Sequence, residues 1–126
     1  MHDQNRTLTQ DWKECIAACF RCAQTCEECG DDMIGMEEKG DTQVMERCIR
    51  LSRECADVCA MAGRWMSRVS PMADRLCRFC AELCDACAEV CEQHAPHHAL
   101  CGACALECRR CADLCRRMSG AGAKAA

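Results

Sequence analysis

Apolar positions recur along the first part of the chain at alternating intervals of four and three residues. Cys and Met occupy positions 15, 19, 22, 26, 29, 33 and 36. This spacing places their side chains on one stripe of an amphipathic helix, with the period typical of helix–helix packing. The pattern predicts a helix over about residues 8–38. Gly40 then supplies a helix stop, and Asp41 an N-cap for the next helix.

Three further segments carry the same stripe and predict helices over about 42–68, 71–93 and 97–118. Ser52 and Ala62 interrupt the stripe of the second helix. Ser70 and Pro71 form an N-cap followed by a first-turn proline, and Ala95-Pro96 ends the third helix. Residues 1–7 and 119–126 are expected to be flexible ends. Because short connections favour antiparallel neighbours, we expect an all-α fold: an antiparallel up-down four-helix bundle over 8–118 with a cysteine-lined core.

Cysteine fills the core positions that large aliphatic residues usually occupy. The chain has 18 Cys, but Leu, Ile, Val and Phe together number only 16 of 126 residues. Such a composition alone would suggest disorder, yet the net charge of −4 is small for a disordered chain. Apolar residues such as Leu51, Val58, Leu76 and Leu83 precede stripe positions by one and would close the seams between helices.

The sequence also argues against several classes of protein. No apolar run has the length of a membrane span, and the polar first ten residues lack the apolar region of a secretory signal. We therefore expect a cytoplasmic protein whose thiols stay reduced. A pI near 5.5 provides no general footprint for nucleic-acid binding.

The cysteines are spaced as C-x-x-C and C-x-x-x-C along each predicted helix. Residues three or four apart on a helix have Cβ atoms about 5–6 Å apart on one face. Two such thiolates can flank one metal ion, since each metal–sulfur bond is about 2.3 Å long. Cys48 lacks a partner at this spacing and needs one from another helix. The predicted metal ligands are Cys15, Cys19, Cys22, Cys26, Cys29, Cys48, Cys55, Cys59, Cys77, Cys80, Cys84, Cys87, Cys91, Cys101, Cys104, Cys108, Cys111 and Cys115.

Several chemistries compete for these thiols. Disulfides fit poorly, because side chains along one helix face point in parallel and nothing indicates secretion. Inert core cysteine explains one or two buried thiols but not 18 on the inner stripes. Thiolates select Cu(I), Zn(II) or iron–sulfur clusters, and the C-x-x-C-x-x-C run of ferredoxins is missing. Zn(Cys)₄ sites would each carry a charge of −2, whereas Cu(I) and thiolate in equal numbers are neutral, which favours Cu(I) in a low-dielectric core.

The two ends of the predicted bundle differ in chemistry. One end collects candidate thioether and imidazole ligands for Cu(I), which we interpret as an uptake port: Met33, Met36, Met45, His94, His97 and His98. Gap-filling methionines and solvated histidines are the alternative interpretation. Eight acidic residues lie between Glu27 and Glu46, and Asp85, Glu89 and Glu92 approach the same end, so an acidic rim is expected there. The opposite end combines arginines with an apolar plug of Leu8, Trp12, Trp65, Met66, Met72 and Met118.

In its dense C-x-x-C and C-x-x-x-C motifs the sequence resembles the bacterial copper storage proteins, which are four-helix bundles lined by cysteines. The resemblance covers 8–118 and rests on runs such as Cys80-Ala81-Glu82-Leu83-Cys84-Asp85-Ala86-Cys87. It implies multiple Cu(I) ions, homotetrameric assembly and, through His94-Ala95-Pro96-His97-His98, the cytosolic branch of the family. The protein is then a store rather than an enzyme, and detoxification is compatible with the same chemistry. A zinc or iron–sulfur protein and a copper-responsive regulator are the alternatives. We expect no nucleic-acid or membrane partner, and the sequence identifies no copper donor or acceptor protein.

Overall fold

A computed structural model describes residues 8–34 and 42–121, and in these ranges the chain forms four α-helices. Their bounds are Gln10–Met33 (α1), Thr42–Ser67 (α2), Ala73–His94 (α3) and Ala99–Ala121 (α4). Consecutive helices pack side by side, and α4 closes the ring against α1. No helix in the described ranges is long and apolar enough to cross a membrane.

Contacts between cysteines give the direction of the helices. Cys15, near the start of α1, lies beside Cys115, near the end of α4, whereas Cys29 at the end of α1 lies beside Cys101 at the start of α4. The two helices are therefore antiparallel. The same holds for α2 and α3, and the predicted all-α, up-down four-helix bundle is confirmed.

Helix α1 ends earlier than the sequence pattern predicts. Ile34 has extended backbone angles (φ −66°, ψ 126°), and its N–H bonds to the carbonyl of Asp31, so the helix stops at Met33 rather than near residue 38. The predicted stop at Gly40 and N-cap at Asp41 lie outside the described residues. At the other end Thr9 accepts a hydrogen bond from the N–H of Trp12 at 3.1 Å, which places the first helical residue at Gln10.

The turn between α2 and α3 delays the start of the third helix. Val69 has a left-handed backbone (φ 52°), and the regular helix begins at Ala73 rather than at Pro71. The predicted N-cap at Ser70 is wrong: Met72 is the N-cap of the regular helix, and it makes no side-chain capping hydrogen bond. The Ser70 hydroxyl instead accepts the N–H of Met72 at 3.1 Å, within the turn that precedes the helix. The first turn after Ser70 is tighter than an α-helix, since the N–H of Ala73 bonds to the Ser70 carbonyl.

Helix α4 is shifted toward the C-terminus relative to its prediction. It begins at Ala99 because the preceding residues form a turn in which the N–H of His97 bonds to the carbonyl of His94 at 2.9 Å. It continues to Ala121, so the start of the predicted flexible tail is helical. Ser119 remains in this helix and bonds to the carbonyl of Cys115 at 3.1 Å.

The core consists mainly of cysteine and alanine. Every cysteine is buried, with at most 1% of its surface exposed. Leu51, Val58, Leu76 and Leu83 are partly buried and pack against this core, as the seam pattern predicted. Protonated Cys behaves as a small hydrophobe, so these thiols replace the leucines of an ordinary bundle.

This burial predicts how the metal-free thiols react. In the reduced native protein we expect a thiol-specific reagent such as 5,5′-dithiobis(2-nitrobenzoate) to label the cysteines slowly, because labelling must wait for the bundle to open. After denaturation in guanidinium chloride all 18 should react rapidly. Rapid labelling of a large share of the thiols in the folded state, verified by circular dichroism, would contradict the buried core.

Candidate metal centre

The sulfur atoms of the core form a column that connects all four helices. The Sγ atoms of Cys26 on α1 and Cys108 on α4 are 3.5 Å apart, as are those of Cys55 on α2 and Cys84 on α3. Cys55 also lies 3.9 Å from Cys108 and thereby links the two pairs. All the cysteines are free thiols. The column follows from the inward orientation of the stripes, which brings side chains remote in sequence into contact.

Within this column the thiols form groups of four, some of which overlap. In each group the Sγ atoms lie within 4.8 Å of one another, close to the separation that two metal–sulfur bonds of about 2.3 Å span. Five such groups are Cys19/Cys80/Cys111/Cys115, Cys22/Cys26/Cys55/Cys108, Cys22/Cys55/Cys59/Cys84, Cys26/Cys87/Cys104/Cys108 and Cys29/Cys48/Cys91/Cys101. Cys22, Cys26, Cys55 and Cys108 each belong to more than one group. A thiolate at these positions can therefore bridge two ions.

Three cysteines lie together at the end of the column near the start of α1. Cys15 is 3.8 Å from Cys115, measured between their Sγ atoms, and Cys77 adjoins the same pair. Trp12, Met66 and Met118 are buried beyond them, with 0–4% of their surfaces exposed. This end of the column is thus covered by large apolar side chains, as the predicted plug requires.

Hydrogen bonding among the buried thiols raises the pKa of some and lowers the pKa of others. A hydrogen bond with Cys108 raises the pKa of Cys84 well above its ordinary value, and burial acts in the same direction. The pKa of Cys26 is raised in the same way, first through Cys104. Hydrogen bonding with Cys108 instead lowers the pKa of Cys22, against the effect of burial. Hydrogen bonding thus shifts the pKa values of neighbouring buried thiols in opposite directions.

Methionine sulfur extends the column at its other end. We call Cys29, Cys48, Cys91 and Cys101 the mouth set. The Cys101 thiol donates a hydrogen bond to the thioether of Met33 at 3.6 Å, and Met33 is 1% exposed. Met45 is 6% exposed and precedes Cys48 by one helical turn. The third predicted methionine, Met36, lies outside the described residues.

The three predicted histidines have different surroundings. His98 Nδ1 accepts the N–H of Cys101 at 3.3 Å, and Nε2 lies 2.6 Å from a carboxylate oxygen of Asp32. Both ring nitrogens of His98 are thus engaged, with Nε2–H as the donor to Asp32. The Nε2 of His94 is buried without a hydrogen-bond partner. His97 is exposed. Sequence reasoning treated the three as one group and missed Asp32 as the partner of His98.

The expected acidic rim is reduced by ion pairing. Arg109 binds Glu92 through two hydrogen bonds of 3.0 Å and Asp85 through one of 3.1 Å. Arg116 bonds to the other oxygen of Asp85 at 2.6 Å. Asp85 and Glu92 therefore connect α3 to α4 instead of standing free at the rim. The hydrogen bond with Arg109 holds the pKa of Glu92 below its usual value.

Comparisons with known proteins identify relatives over most of the chain. The profile of the copper storage protein family (Csp) matches residues 8–120. The cysteine-rich protein YhjQ of Bacillus subtilis is 40% identical over 75 residues, which are 60% of this chain and 67% of YhjQ.

Solved structures of similar proteins have the same architecture. Cu(I)-bound BsCsp3, a copper storage protein, is 39% identical with a TM-score of 0.77, and the match covers 87% of this chain and 99% of that one. A cytosolic copper storage protein from Streptomyces lividans, solved with five coppers, is 32% identical with a TM-score of 0.79, over 88% and 93% of the two chains. From the cysteine column and these matches together, we conclude that the chain belongs to the copper storage protein family.

Proposed function

We propose that this protein stores many Cu(I) ions on cysteine thiolates inside a bundle that is folded before the metal arrives. The observation that carries the proposal is the column of 18 buried thiols, many of which form groups of four, some of them overlapping. Soft thiolate ligands prefer Cu(I). Storage is the function that uses all of these thiols.

Charge balance supports Cu(I) as the stored ion. A zinc ion held by four thiolates leaves a net charge of −2, and several such sites in one apolar core would be costly. If each Cu(I) is held by two thiolates and each thiolate bridges two ions, copper and thiolate charges cancel. Thiols such as Cys26 and Cys55, which belong to two groups of four, are placed for this bridging.

The relatives support the same proposal and extend it to location. BsCsp3 is Cu(I)-bound, and the Streptomyces lividans protein is a cytosolic copper storage protein that has also been loaded with 10 copper equivalents. We therefore place this protein in the cytoplasm, where it would sequester copper for later use or to limit its toxicity.

Copper is proposed to arrive at the mouth set through Met33, Met45 and His94. The two thioethers bind without losing a proton, and they lie next to the first thiols of the column. The unpartnered Nε2 of His94 is the only histidine nitrogen in the described ranges that is buried and without a hydrogen bond. His98 instead holds the start of α4 against Asp32 on α1.

Copper capacity is the direct test of the proposed function. Anaerobic titration of the reduced protein with Cu(I) is expected to saturate near 18 equivalents, one per cysteine, with little change in helicity by circular dichroism. About one proton should be released per copper, since thiols must ionise to bind metal. Saturation at about four or five equivalents would indicate tetrahedral zinc-type sites instead.

The role of the port is tested by single histidine variants. His94→Ala should slow Cu(I) uptake in stopped-flow experiments several-fold and leave the final capacity unchanged, because the thiols remain. His97→Ala is the matched control, since His97 is exposed and should change neither quantity. Equal uptake rates for the two variants, or a reduced capacity in His94→Ala, would contradict the assignment of His94.

We also propose a homotetramer, as the family resemblance implies. Large apolar side chains remain on the outer surface of the bundle, among them Phe79 and Leu106, which are 51% and 75% exposed. Sedimentation velocity at micromolar concentration should give the mass of four chains, and Phe79→Lys with Leu106→Lys should shift it toward smaller species. A monomer for the unaltered protein would exclude this assembly, whatever its copper capacity.

A further inference from the structure

One hydroxyl group interrupts the wall of thiols. Ser52 is fully buried and occupies the α2 stripe between Cys48 and Cys55. Its Oγ lies 3.7 Å from Cys87 Sγ. Against α1 the helices are close, since a Cβ atom on Gly30 would stand 3.4 Å from the Ser52 Cβ. Ser52 thus takes the place of a thiol in the column rather than lying at its edge.

A serine at this place removes a copper ligand. An alcohol does not ionise at neutral pH, and its oxygen is a hard donor, whereas Cu(I) selects soft sulfur. The hydroxyl can still satisfy itself by hydrogen bonding to the Cys87 sulfur. The Ser52 hydroxyl is therefore hydrogen-bonded in the metal-free core, but it cannot bridge copper ions that lie above and below it.

The hydrogen bonds between thiols change at the same level. From Cys104 to Cys15 the thiols are connected through successive Sγ–Sγ hydrogen bonds, which we call the inner ladder. In the mouth set, Cys29 bonds to Cys101 at 3.5 Å and Cys48 to Cys91 at 3.8 Å.

None of the Sγ–Sγ hydrogen bonds of 3.5–4.0 Å among the described residues joins the mouth set to the inner ladder. Cys104 of the ladder nevertheless makes side-chain hydrogen bonds with Cys29 and Cys91. Ser52 and Cys87 occupy this level on the α2 and α3 side of the core. The gap in the shorter thiol–thiol hydrogen bonds therefore lies at the level of the serine, and Cys104 provides the connection across it.

We propose that Ser52 divides the stored copper into two pools, a readily exchanged pool on the mouth set and a slowly exchanged pool on the inner ladder. The inference rests on the proposed function. Ions on the mouth set share few thiolates with the ions below and lie next to Met33, so they can leave without opening the ladder. Each ion leaves as Cu(I), and solvent returns protons to the thiolates that held it, so no electron is transferred.

Release of copper to a chelator tests the division. The fully loaded protein is mixed anaerobically with excess bathocuproine disulfonate, and formation of the Cu(I) complex is followed by absorbance. We expect a fast phase containing about a fifth of the copper, because the mouth set holds four of the 18 cysteines. Release in a single phase from the unaltered protein would overturn the proposal.

Substitution of the serine tests its role directly. Ser52→Cys should raise the capacity by about one ion per chain and reduce the fast phase, since a thiolate at position 52 connects the two pools. Ala62→Cys is the matched control: it adds a thiol at the other interruption of the α2 stripe, away from the mouth set, and should raise the capacity while preserving the fast phase. Ser52→Ala should preserve both quantities.

Two outcomes for Ser52→Cys would contradict the proposal: an unchanged capacity, or an increased capacity with the fast phase intact. A further pair of variants keeps the test decisive if Ser52→Cys folds poorly. Replacing the four cysteines of the mouth set by serine should abolish the fast phase. Replacing Cys19, Cys80, Cys111 and Cys115 by serine should reduce the capacity by a similar amount but preserve the fast phase. A low total capacity in the unaltered protein would refute storage itself, whereas a full capacity released in one phase refutes only the division.

Discussion

The structure depends on the neutrality of its buried thiols. Eighteen ionisable side chains share one core, and this is tolerable only because a protonated thiol is uncharged and packs as a small hydrophobe. The same atoms become ligands when a cation replaces their protons. Core and binding site are therefore a single feature, and the identity of the cargo follows from the need to keep that core neutral. A monovalent soft cation meets this need better than a divalent one.

Small side chains at the core positions have a geometric consequence. Cysteine and alanine allow the helices to approach closely, and Gly30 lies nearly in contact with Ser52 across α1 and α2. The outer ion pairs, such as Arg109 with Glu92, are substantially exposed, so solvent screening weakens them. Packing and helix caps, rather than surface charge, must therefore stabilise the metal-free bundle.

The two ends of the bundle also differ in chemistry. Trp12 and Met66 cover the column at one end, whereas Met33 and His94 present sulfur and a free imidazole nitrogen at the other. Ser52 adds a division between these ends. A core of uniform thiols would have a capacity but no order of loading or release; in our proposal the non-cysteine residues on the stripes supply that order.

The sequence by itself determined the helices, their inward faces and the antiparallel bundle, because a period of three and four residues is a local property of one helix and the connections are short. It also indicated Cu(I), through the number and type of ligands. Only the tertiary structure decided which thiols group together, since Cys26 and Cys108 meet across helices that are far apart in sequence. It likewise separated the role of His94 from that of His98, because the hydrogen bond between His98 and Asp32 depends on where α1 ends and α4 begins. Such contacts depend on the register between helices, which no stripe read along one helix contains.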